Sequence, residues 1–200
     1  MEKYVSIYNQ LKRLMTIDGV VHPRFNHSVA TAKIALELNE HLKLGLNEDQ
    51  VYLAGLLHDA AKLVDNQQLW EIIVENEPKE VQTELINFPH IWHSFAGKYY
   101  VKAKFNIDDL AVLNAIYYHT TGRENMTSLE ALIFACDYIE PTRVGGDYLI
   151  NARKACYSSL DEGVYTILSQ MVDYLKKSGK IIYSQTLKAY NYYKLERKSN

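Results

Sequence analysis

The stretch VYLAGLLHDAAKL, Val51 to Leu63, decides how the rest of the chain is read. Val51, Leu53, Ala54, Leu56 and Leu57 leave almost no polar face, so a helix here is apolar nearly all round and has to lie at the centre of a bundle. Asn47 followed by Gln50 resembles a helix-start capping pair and marks where it begins. Late in the stretch comes the dipeptide His58-Asp59. Ionisable side chains are costly in so apolar a setting unless they are paired or bound to metal. The dipeptide is therefore either a hydrogen-bonded interior pair or part of a site.

Working outward, apolar residues recur at three- and four-residue steps and only 4 Pro and 9 Gly interrupt them, which predicts an all-α helical bundle. Tyr4 to Met15 reads as an amphipathic helix. Pro23 opens a second helix running to about Leu42, with Val29, Ala32, Ile34, Ala35 and Leu38 as its buried stripe. Asn66 to Asn87 predicts one or two short helices, and Pro89 precedes a helix from His93 to Lys104. Asp108 to Tyr118 forms another, closed by the turn Thr120-Thr121-Gly122-Arg123. Thr127 with Glu130 caps the helix that carries Asp137, and Pro141 ends it. After the Gly145-Gly146 loop, Ser159 with Glu162 caps a helix to about Ser178. A Tyr-rich helix from Ser184 to about Leu195 precedes a frayed tail, Glu196 to Asn200. The expected organisation is one domain over 1–200, a core of about 18–142 with the helices of about 147–195 packed on it.

Composition narrows the function classes. The 200 residues are 48% hydrophobic and 23% charged, a globular balance. Lys and Arg number 22 against 24 Asp and Glu, so no basic excess exists for nucleic-acid backbones, and no nucleic-acid partner is expected. A pocket for a small phosphorylated ligand needs only a few local charges. Cys136 and Cys156 make no disulfide framework. No stretch approaches the roughly 20 apolar residues that span a bilayer, and the N-terminus lacks a signal pattern. A cytoplasmic protein without membrane attachment is the expectation.

Other potential ligands stand at helix positions or helix ends: His27, His93, His119 and Asp137. Their separations exclude a zinc-finger arrangement, and there is no HExxH. They have to converge from several helices, as bundle-core metal sites do. His22 and His90 read as hydrogen-bonded turn residues and His41 as an exposed one.

The order H…HD…H…H…D resembles the HD-domain phosphohydrolases, and the flanking residues resemble one subgroup, the YqeK family. The carrying segments are RFNHS (Arg24 to Ser28), LLHDAAK (Leu56 to Lys62), HSFAGKY (His93 to Tyr99), YHTTGR (Tyr118 to Arg123) and ACDYIEPTR (Ala135 to Arg143). The chain departs from that pattern at Ser94-Phe95, where a glycine-proline pair is usual, and at Ala60 after the HD. Neither departure removes a ligand.

The resemblance implies symmetrical bis(5'-nucleosyl)-tetraphosphatase activity, splitting diadenosine tetraphosphate into two ADP. It implies two divalent or mixed-valence transition-metal ions: His27, His58, Asp59 and Asp137 on one, His93 and His119 on the other, with Asp59 bridging. Mixed imidazole and carboxylate ligation suits iron, manganese, cobalt, nickel or zinc better than magnesium or calcium, and similarity to the family favours iron. A hydroxide bridging the metals would attack phosphorus. Asp59, Lys62 and Arg123 are the candidate catalytic residues. Arg24, Lys62, Thr120, Thr121 and Arg123 are the candidate substrate contacts. Arg24 reads first as the partner of an acidic side chain, and Glu140 as a group that orients a ligand. The nucleotide is the expected partner, the chain acting as monomer or homodimer. Two rival readings stay open: hydrolysis of another nucleotide, a nucleoside tri- or monophosphate, and a noncatalytic nucleotide-sensing module. The 16 tyrosines make stacking on a base plausible without saying which one stacks.

Overall fold

The structure, a computed structural model, describes residues 4–199. Among them are α1 (Val5–Leu14), α2 (Pro23–His41), α3 (Glu48–Leu57), α4 (Asn66–Asn76), α5 (Lys79–Leu85), α6 (Trp92–Phe105), α7 (Leu110–Tyr118), α8 (Ser128–Ile139), α9 (Asp147–Ser158), α10 (Leu160–Lys177) and α11 (Ser184–Ser199). A two-residue antiparallel hairpin, β1 (Thr16–Ile17) and β2 (Val20–Val21), joins α1 to α2. The fold is an all-α bundle. No helix among the described residues is long and apolar enough to cross a membrane.

The helix starts follow from side-chain chemistry. Asn47 accepts from the amides of Asp49 and Gln50, and Asp65, Asp109 and Ser159 cap α4, α7 and α10 in the same way. Thr127 and Glu130 form the full reciprocal capping box of α8. His22 caps α2 by accepting from the Arg24 amide, with Pro23 at the first helical position.

Three features differ from the sequence reading. The hairpin was not anticipated: Asp18 and Gly19 both have positive φ, the conformation of a tight two-residue turn that an Asp-Gly pair favours. α11 runs on to Ser199, past the expected end near Leu195. The third is the end of α3 at Leu57, before the HD dipeptide, with residues 58–64 continuing as successive tight turns. Its cause is visible. The His58 Nδ1 lies 2.7 Å from the Gly55 carbonyl, the oxygen that the Asp59 amide would need to continue the helix.

α3 is central, with Val51, Ala54, Leu56 and Leu57 fully buried. It packs on α2 so closely that a Cβ on Gly55 would lie 2.7 Å from the Ala32 Cα. The main core joins residues of α2, α3, α7 and α8 to Val164, Ile167 and Leu168 of α10 and Ala189 and Tyr193 of α11. A second cluster around Ile73, Leu85, Phe95 and Tyr117 ties α4, α5, α6 and α7 together. The candidate ligands are carried on or beside helices of both clusters, α2, α3, α7 and α8 from the first and α6 and α7 from the second.

Candidate metal centre

Helix ends deliver most of the predicted ligands. His58 and His119 are the C-caps of α3 and α7, and Asp137 sits in the last turn of α8. His27 comes from the second turn of α2 and His93 from the start of α6. Three helix C-termini thus point at one place, and their partial negative charge favours a cation there. His119 repeats the device of His58: its Nδ1 is 2.6 Å from the Ile116 carbonyl, so the imidazole takes the acceptor the next turn would have used.

These bonds fix the tautomers. Nδ1 of His58 donates to Gly55, Nδ1 of His119 to Ile116, and Nδ1 of His27 lies 3.1 Å from the buried Glu140 carboxylate. In the neutral imidazole the other nitrogen is then a bare acceptor. The Nε2 atoms of His27 and His58 are only 3.1 Å apart, and the Asp137 Oδ1 is 3.0 Å from the former and 3.7 Å from the latter. Lone pairs crowded so closely repel unless a proton or a metal ion lies between them. The donor set therefore fits a transition-metal ion.

Asp59 divides its oxygens. Oδ1 faces His93 and His119, at 3.3 and 3.6 Å. Oδ2 faces His27 and His58, at 3.7 and 3.8 Å, and accepts from Arg24 at 2.7 Å. Two ligand groups able to hold an ion follow from these distances: His27, His58 and Asp137, and His58, Asp59 and His119. Burial works to raise the Asp59 and Asp137 pKa values, but the surrounding histidines, with Arg143 at Asp137, outweigh it and hold both carboxyls well below the usual range. Burial depresses the His93 imidazole, with His119 and Lys62 adding to the effect.

The chain matches the HD domain family over residues 24–142, the segment that contains all six candidate ligands. The chain belongs to the HD domain family. This HD domain is 33% identical to a Halalkalibacterium halodurans protein named bis(5'-nucleosyl)-tetraphosphatase, symmetrical, over 88% of the chain and 91% of that protein. A Staphylococcus aureus protein of the same name is 36% identical, over 85% and 86%. A crystal structure from Clostridium acetobutylicum, described as a predicted HD superfamily hydrolase involved in NAD metabolism, superposes with a TM-score of 0.87 at 29% identity. It covers 96% of this chain and 97% of that one.

Around the six candidate ligands of this HD domain, the remaining sequence-predicted residues divide. Lys62 is brought in: its Nζ lies 3.1 Å from His93 Nε2, and burial lowers its pKa. Thr120 is also at the centre, its Oγ1 3.0 Å from His119 Nε2 and 3.4 Å from His93 Nε2. Arg24 pairs with Asp59 and Glu140 with His27, as their sequence positions suggest. The structure does not bring Arg123 or Thr121 to the ligands. Arg123 is 2.7 Å from the buried Glu130 carboxylate and stacks over Tyr118. Thr121 donates to the Gly122 carbonyl and accepts from Gln185. Arg143, to which the sequence reading gave no role, reaches back from the turn after Pro141 and donates to the Asp137 Oδ1 at 2.7 Å. Its signal was a lone arginine six residues past a ligand, which spacing alone does not separate from a loop residue.

Proposed function

We propose that this HD domain is a symmetrical bis(5'-nucleosyl)-tetraphosphatase that hydrolyses diadenosine tetraphosphate to two ADP. The observation that carries the reading is the divided Asp59 carboxylate among four inward-facing imidazoles; the names of the relatives supply the substrate. Two divalent transition-metal ions, iron favoured, would be held by His27, His58, Asp59 and Asp137 and by Asp59, His93 and His119, supplying Lewis acidity and an activated water near neutral pH.

The chain's own residues hold and neutralise. Glu140 and the Gly55 and Ile116 carbonyls keep the Nε2 lone pairs of His27, His58 and His119 turned inward. Arg24 anchors one Asp59 oxygen, so the carboxylate cannot rotate away from its two groups of histidines. Lys62 carries the positive charge closest to the His93 side and can donate to a phosphoryl oxygen as charge develops there. The Thr120 hydroxyl is available to a phosphate on the same side. Arg123 and Thr121 can serve the substrate only by releasing Glu130 and Gln185. The HD domain and the helices packed on it act as one unit in the cytoplasm, as monomer or homodimer, with a nucleotide rather than a nucleic acid as partner.

The test is chromatography of products after incubating metal-analysed protein with diadenosine tetraphosphate, ATP and AMP as competing substrates. ADP as sole product, lost together with metal in Asp59→Ala, is expected. No turnover by fully loaded protein, or full turnover by Asp59→Ala, contradicts the reading.

A further inference from the structure

The cavity beside Arg143 is of another character from the ligand cluster. It encloses about 740 Å³ between α8, α9 and α10, and its walls are Tyr138, Tyr148, Leu149, Met171 and Tyr174. Arg143 also lines it, and its guanidinium is 2.7 Å from the candidate ligand Asp137. Lys177 and Asp173 add one charge of each sign. A path from the metal centre into this cavity therefore meets a cation first and aromatic surface next, the polarity order of a nucleotide read from phosphate to base.

We infer that this cavity receives one nucleoside of the dinucleotide substrate, its base against Tyr148 and Tyr174 and its phosphate chain passing Arg143. The assignment rests on the function proposed above for the substrate's identity. Four observations carry it. The volume lies within the range of small-molecule sites, and the lining is apolar with a few polar groups, as such sites are. Tyr148 is 50% exposed, Val144 97% and Tyr174 61%, with Lys180 over one face of its ring, so large apolar groups remain accessible along one cavity. The wall is rigidly built: Tyr138 donates to Gln170, and Gln170 donates to the Tyr148 carbonyl, fixing α10 against the start of α9. The Asp173 carboxylate, exposed on the cavity wall, is an acceptor for ribose hydroxyls or an exocyclic amine.

The alternatives fit less well. The pocket beside His90 and Thr120 encloses about 190 Å³, below the usual size of such sites. Another, near Met126 and Tyr193, is lined by Asp161, Glu162 and Glu196, which would repel phosphate.

The probes are ADP and inorganic pyrophosphate, each titrated calorimetrically into manganese-loaded protein. Stacking on one aromatic ring predicts that Tyr148→Ala and Tyr174→Ala each weaken ADP roughly tenfold and leave pyrophosphate unchanged. Tyr148→Phe keeps the ring and should bind ADP like the wild type. Both tyrosines are exposed, so the folded state survives their loss; circular dichroism verifies it. ADP affinity unchanged in both alanine variants, or falling in step with pyrophosphate affinity, overturns the assignment. If that happens while the wild type still converts diadenosine tetraphosphate to ADP, only the cavity assignment fails. If the wild type binds ADP in a Tyr148-dependent way but does not hydrolyse the dinucleotide, the cavity assignment stands and the proposed activity fails.

Discussion

Replacing Gly55 by alanine places a methyl carbon 2.7 Å from the Ala32 Cα and 3.0 Å from its nitrogen. An ordinary contact needs at least 3.4 Å, so α2 and α3 must separate by about 0.7 Å at their crossing, against backbone that cannot rotate aside. Overpacking of this kind costs about 1–3 kcal/mol, and the helix preference of alanine over glycine returns about 0.5–1. Taken at the middle of these ranges, the net loss of roughly 1 kcal/mol lowers the melting temperature of a chain this size by about 2–5 °C. The effect should also reach the metal centre, because Gly55 stands one turn before His58 and accepts its Nδ1 bond, while Ala32 shares α2 with His27. Widening the 3.1 Å gap between the two Nε2 atoms weakens metal binding. Calorimetry of the metal-free variant and a titration against a competing chelator measure the two consequences separately. A melting temperature equal to or above that of the wild type would refute the close-packing argument. A lowered melting temperature with unchanged metal affinity would refute the coupling between the crossing and the site.

Three further outcomes are expected. Glu140→Gln removes the charge that holds the His27 Nδ1 proton and should weaken metal binding about 10- to 100-fold; equal affinity in a chelator competition would show that Glu140 does not orient His27. Lys62→Ala should lower kcat roughly 100-fold with metal content unchanged, whereas a lysine that merely neutralises Asp59 would give altered metal content and near-normal kcat. Burial pushes the Cys156 thiol up to about 12 and the Cys136 thiol well above its usual value, so neither should react with a disulfide reagent at neutral pH until the protein is unfolded, when both do; rapid labelling of the folded protein would contradict their placement.

The six candidate ligands stand out in the sequence because each is a costly residue type in or beside an apolar helix and their order repeats a family pattern; the structure brings their side chains within a few ångströms of one another. Capping side chains made most helix starts legible too, since Asn47, Thr127 and Ser159 act through bonds only two or three residues long. The end of α3 was less accessible: an apolar run that continues through Ala60 and Ala61 conceals a stop imposed by the His58 side chain on the Gly55 carbonyl. Arg123 and Arg143 show the limit of spacing. Both lie a few residues beyond a ligand, yet a buried Glu130 from α8 draws the first away while the Pro141 turn folds the second back onto Asp137. Which arginine meets which carboxylate depends on packing between helices. The cavity is less legible still, since its walls come from 138, 143–149 and 170–177 and exist only once α8, α9 and α10 are assembled.

At His58 and His119 the group that stops the helix is also one of the groups that face inward, so length along the chain and position in space are set by one hydrogen bond. An insertion between Asn47 and Gly55 would carry Gly55 and its bond to His58 along with it. The imidazole would arrive about 1.5 Å further along the axis and about 100° around it, turned from its partners. α3 and α7 should therefore not tolerate a change in their count of residues, and length variation among relatives should fall outside these two helices.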